Sequence, residues 1–547
     1  MNRRLTVVTA FILIPLLGIF LTRTCSSQTV YLRSNQTHYS PSDTIDLMLL
    51  STQPLNTSGW ALTSESSQYP LKVSVAGQFN NLHAYRMITS IPTPGSYSWK
   101  TPIRTSKLAT VQVAPQKAKD LILTSLKFFA FQRCGTVNNI EKHKCHSRPS
   151  LISNSGSMDL SGGWHDAGDY LKFTITSGFA TSMLLTAAQM TTDMTLKKPL
   201  IDEALWGLRW LEKTWVPGKG IYYQVGDASD HESWRLPQDT DREPTQKAFL
   251  TQAGRGANLA GKISASFALA AKLMIGRPDL QKKYRNLAIE IFNWGELNRA
   301  PQSSTDSFYV EETWKDDMAL AALELYHLTG LIDYLKKARQ WLRSEGNGWA
   351  FSYDRTHSLA LYKWGLYSPG DQKEARNFLV ADLKYAQASS QKNLFNEGVA
   401  ELYWGSSLPM MGSAITALLF EKINGGRAFR GMAQLQRDYL LGRNPWGVSF
   451  LATAGHRWTQ NPHHQIANIR KIAATGSWNA GPLSRKNWKE LRIGLSRPDP
   501  YEDFQSETAV FHDDKNDYAT NEPTIAANAT GILMLMGFLS SEISTSP

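Results

Sequence analysis

No run of five or six lysines or arginines occurs anywhere in this 547-residue chain, although its net charge is +11. The basic residues are scattered among acidic neighbours, which argues against a nucleic-acid or anionic-surface binder. No tract is poor enough in apolar residues to suggest long disorder. The hydrophobic fraction of 42% and charged fraction of 19% are those of a globular protein. No fixed-period repeat of the solenoid kind is visible, and beyond the N-terminus no segment is long and apolar enough to span a bilayer. Aromatic residues, by contrast, are plentiful. The 17 Trp and 20 Tyr are flat amphipathic rings that stack on sugar faces as well as filling cores.

Met1-Asn2-Arg3-Arg4 precedes an apolar run from Leu5 to Leu21 and a small polar stretch at Ser26-Ser27, the charge and order of a secretory signal. Residues 1–27 are therefore expected to be a signal peptide and the remainder exported, either secreted or periplasmic; a retained membrane anchor is the alternative. Cys25 follows Arg23-Thr24, unlike a lipoprotein cleavage box, so no lipidation is expected.

The chain is too long for one ordinary core, which leaves two domains or one large helical domain with an appendage. From Thr29 to about Val113 short extended runs alternate with turn residues: Thr44–Leu49, Leu71–Val75, and Tyr97-Ser98-Trp99 after Pro94-Gly95. This pattern predicts a small β-sandwich over residues 28–115. Beyond Pro115, apolar residues recur at helical spacing. Twelve helices are expected near 116–131, 178–190, 200–215, 257–275, 279–297, 316–330, 332–345, 355–366, 374–390, 409–424, 427–441 and 523–541. Small residues such as Ala257, Ala260 and Gly261 suit close helix pairs. With no repeat period, a closed ring of paired helices over 116–545 is favoured over an open array, and the links between helices become the natural carriers of a site.

Two carboxylate stretches stand out in those links. Ser161-Gly162-Gly163-Trp164-His165-Asp166-Ala167-Gly168-Asp169-Tyr170 combines glycines with two close acids, a pattern that alone reads as readily as a turn or calcium loop. Near the C-terminus, Phe511-His512-Asp513 and Tyr518 precede Asn521-Glu522-Pro523-Thr524 and Asn528-Ala529. A glutamate at a helix start is, by itself, a partner for the helix dipole. Two carboxyl groups in different environments are also what an inverting glycosidase needs. One stays protonated for the leaving oxygen, and one stays ionised to activate water on the opposite sugar face. Desolvation raises the first, while backbone donors and solvent keep the second charged. Two neighbouring acids such as Asp166 and Asp169 titrate as a coupled pair.

Taken together, the two stretches resemble glycoside hydrolase family nine, the cellulases built on a six-fold (α/α) barrel often preceded by an immunoglobulin-like domain. The pattern from Phe511 to Ala529 matches, as do Asp230-His231 with Trp234, Trp404-Gly405-Ser406 and Leu441-Gly442-Arg443-Asn444-Pro445. The resemblance implies a mainly α fold and an inverting endo-β-1,4-glucanase, expected to act as a monomer on β-1,4-linked glycans. It assigns Asp169 as general base, Asp166 as its water-holding partner, Glu522 as general acid, and Asp513 and His463 as further active-site residues. Trp164, Trp234, Trp404, His464 and Tyr518 are expected to bind substrate. An exo-acting hydrolase of cello-oligosaccharides or glucosamine oligomers is the alternative enzyme, and a catalytically silent glycan-binding protein the non-enzymatic one.

Cys134, Cys145, His146 and His165 offer two thiolates and two imidazoles, a set that suits tetrahedral Zn2+. In an exported protein a Cys134–Cys145 disulfide is the competing reading. Bacterial family members with an Arg-Cys-Gly stretch and a Cys-His pair hold structural zinc, and Arg133-Cys134-Gly135 and Cys145-His146 are similar to theirs; His143 is a substitute ligand. Glu312, Asp316 and Asp317 resemble a calcium-binding turn of the family, though acids at a helix start also serve the dipole. Two positions depart from the family pattern. Gln465 stands where Arg is usual and Ala527 where an aromatic is usual, which predicts a weakened sugar-holding shell.

Overall fold

The computed structural model describes residues 28–543 except 42, 104–107, 115–116, 136–144, 147, 153–155, 243–245 and 347–349. The expected signal segment and His143 lie outside the described residues.

Eight strands come first: β1 (Val30–Arg33), β2 (Ile45–Ser51), β3 (Ala61–Thr63), β4 (Gln68–Pro70), β5 (Lys72–Phe79), β6 (Leu82–Thr89), β7 (Gly95–Lys100) and β8 (Val111–Val113). They form two sheets, ordered β1-β2-β6-β5 and β4-β3-β7-β8, which face one another as a sandwich. β2 shows how the sandwich joins the rest of the chain. Successive strand residues point to opposite faces, and Ile45, Leu47 and Leu49 enter the sandwich core while Met48 and Leu50 enter the core of the helical region. Both faces are therefore apolar, and the strand is buried throughout.

Polar contacts seal this boundary. Arg443 is fully buried and meets Asp46 at 2.6 Å. Arg437 meets Asp43 at 2.8 Å, and the Asn35 amide donates to Asp438 Oδ1 at 2.8 Å. Asn35→Ala leaves the buried Asp438 short of a donor, and is expected to cost about 1–3 kcal/mol in urea denaturation.

Eleven helices follow: α1 (Lys117–Gln132), α2 (Thr174–Gln189), α3 (Met194–Thr214), α4 (Ala257–Leu273), α5 (Pro278–Leu297), α6 (Lys315–Thr329), α7 (Ile332–Glu345), α8 (His357–Tyr367), α9 (Gln372–Lys392), α10 (Ser407–Phe420) and α11 (Arg430–Leu440). Three short ones, α12 (Gln465–Arg470), α13 (Arg485–Glu490) and α14 (Tyr518–Asn521), lead to the long α15 (Ile525–Ile543). Six of these close a ring through the neighbour contacts α2, α4, α6, α8, α10, α15 and back to α2. The partners α3, α5, α7, α9, α11 and α1 each pack outside one of them, giving the six-fold (α/α) barrel.

Composition sorts the two layers. Every residue of α4 from Ala257 to Ala271 is buried, whereas α5 buries only Tyr284, Ala288, Ile291, Phe292 and Gly295. A helix apolar all round belongs inside, and a striped one outside. Gly261 lets α4 approach α6 closely, since a Cβ there would stand 2.5 Å from the Asp317 carbonyl carbon. The long links are not irregular throughout. They carry β9 (Ser150–Ile152), β10 (Gly156–Met158), β11 (Lys172–Phe173), β12 (Trp215–Val216), β13 (Gly220–Val225) and β14 (Lys247–Leu250). Strand pairing satisfies backbone groups that these links bury; periodicity in the sequence does not signal runs so short.

Candidate active site

The links preceding α2 and α15 meet at Gly168. Its N–H donates to Glu522 Oε1 at 3.1 Å, its carbonyl accepts from Gln465 N at 2.9 Å, and a Cβ would stand 2.1 Å from the His463 carbonyl oxygen. Only glycine fits there, and it places the carboxyl group of Glu522 one residue from Asp169. Asp169 Oδ2 meets His231 Nε2 at 2.7 Å and its Oδ1 accepts from Leu171 N at 3.2 Å. Its carboxylate thus has one backbone donor and one imidazole, whose pKa is raised chiefly by that bond to Asp169. Glu522 has only the Gly168 donor among its resolved side-chain bonds in the described residues. Burial, followed by the charge of Asp169, pushes it well above the usual carboxylate range. The two acids thus sit in different environments, Glu522 desolvated with one donor and Asp169 bonded to a backbone N–H and an imidazole.

Asp166 is not where a water-holding partner would be. It is 1% exposed, its carboxylate accepts from the hydroxyls of Thr176 and Tyr309, and burial pushes it up to about 7. Its own carbonyl accepts from Ile525 N at 2.9 Å, tying the loop to the start of α15. Tyr309 is a site residue that the sequence did not single out; it lies in the α5–α6 link, with no local signal beyond being an aromatic. His231 was visible only as part of a matching motif.

Asp513 also lies below the surface. It accepts from the N–H groups of Gln460 at 2.9 Å and Asn461 at 2.7 Å, and so holds the segment that carries His463. The His463 Nδ1 meets the Lys515 carbonyl at 2.6 Å. Its ring stands 5.1 Å from Trp234 and 6.0 Å from Tyr518, and Tyr518 stands 5.1 Å from Trp404. Trp234, His463, Tyr518 and Trp404 thus form one aromatic row, with Trp234 and Trp404 exposed.

Two expected substrate contacts are corrected. Trp164 is fully buried against Phe129 and donates to Glu203 at 2.9 Å, and His464 is buried with its Nε2 at 3.0 Å from Gln132 Oε1. Both build the support of the loop. The departures at Gln465 and Ala527 read differently as well. Each is 2% exposed, and the Gln465 amide oxygen accepts from Arg235 N at 3.0 Å. Neither position faces an open cleft, so larger residues there would overpack the site's support instead of restoring a sugar contact.

Cys134 Sγ, Cys145 Sγ and the ring nitrogens of His146 and His165 lie within 4.8 Å of one another, all four residues buried. The thiols are unbridged, which removes the disulfide reading. His146 Nδ1 and His165 Nε2 are 3.3 Å apart. This is close to the edge of about 3.3–3.4 Å that a tetrahedron with Zn–N bonds of about 2.0–2.1 Å requires. The donor set therefore fits zinc, and His165 N donates to the Gln132 carbonyl at 2.7 Å immediately before Asp166.

The calcium expectation is corrected. Asp317 and Glu311 clasp the ammonium of Lys262, all three buried. Asp316 accepts from Thr356 N at 2.7 Å, and Glu312 points to solvent beside Arg355 at 3.3 Å. The three acids do not converge, and Lys262 already supplies the positive charge.

A closed six-fold helical barrel with two differently held carboxyl groups between its links, beside an open aromatic row, defines a carbohydrate hydrolase. The glycosyl hydrolase family 9 profile matches residues 119–535, and the chain belongs to that family. It is 28% identical over 477 residues to endoglucanase 10 of Arabidopsis thaliana, a match covering 79% of this chain and 88% of that one. Its fold is similar to that of a single mutant of a thermostable endoglucanase from Alicyclobacillus acidocaldarius. That match has a TM-score of 0.77 and 20% identity, covering 93% of this chain and 99% of the other. A zinc-binding triple mutant of another family 9 endoglucanase superposes with a TM-score of 0.75 at 20% identity, covering 91% of this chain and 99% of that one.

Proposed function

We propose that this glycoside hydrolase is an exported, inverting endo-β-1,4-glucanase with Asp169 as general base and Glu522 as general acid. The observation that carries the reading is the contrast between the two carboxyl groups around Gly168. Glu522 is desolvated, which with the charge of Asp169 raises it well above the usual carboxylate range, while Asp169 is bound by a backbone N–H and an imidazole. In the proposed reaction Asp169 takes a proton from water as that oxygen attacks the anomeric carbon. Glu522 gives its proton to the departing glycosidic oxygen. His231 orients the base, and the bonds of Asp166 to Thr176, Tyr309 and the backbone of Leu171 and Ile525 hold the loop that carries it. The row from Trp234 to Trp404 supports an extended chain lying across the site, which favours internal cleavage. Cys134, Cys145, His146 and His165 are proposed to hold one Zn2+ as a cross-link bracing the loop, with no part in the reaction. Export rests on the basic-then-apolar N-terminal segment.

The stereochemistry tests the mechanism. NMR of a soluble β-1,4-glucan digest, read before mutarotation, is expected to show the α-anomer first; an initial β-anomer would mean retention and remove Asp169 from the role of base. The pH profile supplies a second check. Activity needs Glu522 protonated, so it is lost as pH rises through the raised pKa of that group. The alkaline limb of kcat should therefore lie well above the ordinary carboxylate range, and a limb near pH 4–5 would contradict the assignment of Glu522.

A further inference from the structure

Next to Trp404 in the chain stands a further exposed aromatic, Tyr403. Tyr403 and Tyr385 are 60% and 53% exposed, and both line a cavity of about 350 Å3 between α9, α10 and the 398–403 segment. Single exposed rings are ordinary, but two large ones on the wall of one cavity mark a binding surface. The polar side of the cavity is built as well. Glu401 accepts from the Tyr403 hydroxyl at 2.6 Å through Oε2 and from the Asn487 amide at 3.3 Å through Oε1, so its remaining lone pairs keep a set direction. Among the described residues lining the cavity, Asp382 is a second carboxylate and no lysine or arginine is present, which disfavours an anionic ligand. An aromatic face beside an oriented carboxylate suits a neutral pyranose. The apolar ring face rests on the tyrosine, and sugar hydroxyls donate to the acid. On the far side of Glu401 a second recess of about 650 Å3, reached by Gln78 and Asn80 of the sandwich, leaves room for a longer chain.

We infer that the cavity at Tyr403, Tyr385 and Glu401 binds a glucosyl residue of the same β-1,4-glucan chain, several units from the bond being cleaved on the Trp404 side. The inference rests on the glucanase reading above, through the position of Tyr403 directly before Trp404, the end of the aromatic row. Its signature is a dependence on chain length. Initial rates on cello-oligosaccharides of three to eight units and on a soluble cellulose derivative are compared for the wild type, Tyr403→Ala and the double variant Tyr385→Ala/Tyr403→Ala. On the shortest oligomer cleaved, kcat/KM should be unchanged. On the longest and on the polymer it should fall roughly tenfold through KM with kcat kept, and Tyr403→Trp, which retains a stacking face, should restore it. An equal loss at every length, or no loss on the longest chains, overturns the inference. If the wild type cleaves no β-1,4-glucan, the glucanase reading itself fails. Retardation in a native gel containing hydroxyethylcellulose then decides the site: retardation abolished by Tyr403→Ala supports it, whereas unaffected retardation, or none by the wild type, overturns it.

Discussion

Glu522→Gln and Asp169→Asn are each expected to lower kcat on an unactivated β-1,4-glucan by about 10²–10⁴-fold, the range typical of general acid–base assistance. Both changes keep the shape of the side chain, and the Gly168 N–H can still be accepted by the amide oxygen at position 522, so folding should be retained. The two losses should differ on a substrate whose leaving group needs no proton. An aryl glycoside with a good leaving group should recover much of its rate with Glu522→Gln and little with Asp169→Asn, because only water activation is then still required. Because the pair acts in one transition state, the double variant should be only slightly slower than the worse single one. Near-full activity of Asp169→Asn on an unactivated glycan would refute the base assignment.

Removing zinc is the second large perturbation. A metal bound only by the folded chain adds its binding free energy to stability. At a free zinc concentration about a thousandfold above Kd this is about 4 kcal/mol. Spread over the unfolding entropy of a barrel of roughly 400 residues, it corresponds to a fall in Tm of about 5 °C. Protein purified without added metal should contain one zinc per chain, and a strong chelator should lower Tm by that order. His165→Ala should bind none and melt at the chelated temperature. Since His165 adjoins Asp166 and its N–H bonds the Gln132 carbonyl, kcat should fall in the same variant even when it is assayed well below its melting temperature. Full stability in chelator would mean that the four residues pack as a metal-free core.

The sandwich, the twelve long helices and the paired carboxylate motifs were legible in the sequence because each is a local signal. Apolar residues at period two or at helical spacing predicted the elements, and glycines beside acids marked the loop that carries Asp169. The same locality explains where the reading misplaced residues. Trp164 and His464 lie in motifs next to the site, but whether such a ring faces sugar or core depends on what packs against it. Here these are Phe129 and Glu203 for one and Gln132 for the other. Glu312, Asp316 and Asp317 form an acidic turn in the sequence, and only the packing of α4 on α6 brings the Lys262 ammonium to Asp317 and to the neighbouring Glu311.

The sequence by itself determined the helical class and the four zinc-ligand candidates, which follow from periodicity and residue chemistry along the chain, while the pair of candidate acids followed from the resemblance of its two carboxylate stretches to the family. Only the tertiary structure decided which carboxyl is desolvated, that Asp166 is buried and bonded by Thr176 and Tyr309, and that Gly168 joins the base loop to Glu522, 354 residues away. Desolvation and through-space charge depend on the neighbours that a closed ring brings together, and order along the chain does not encode them locally.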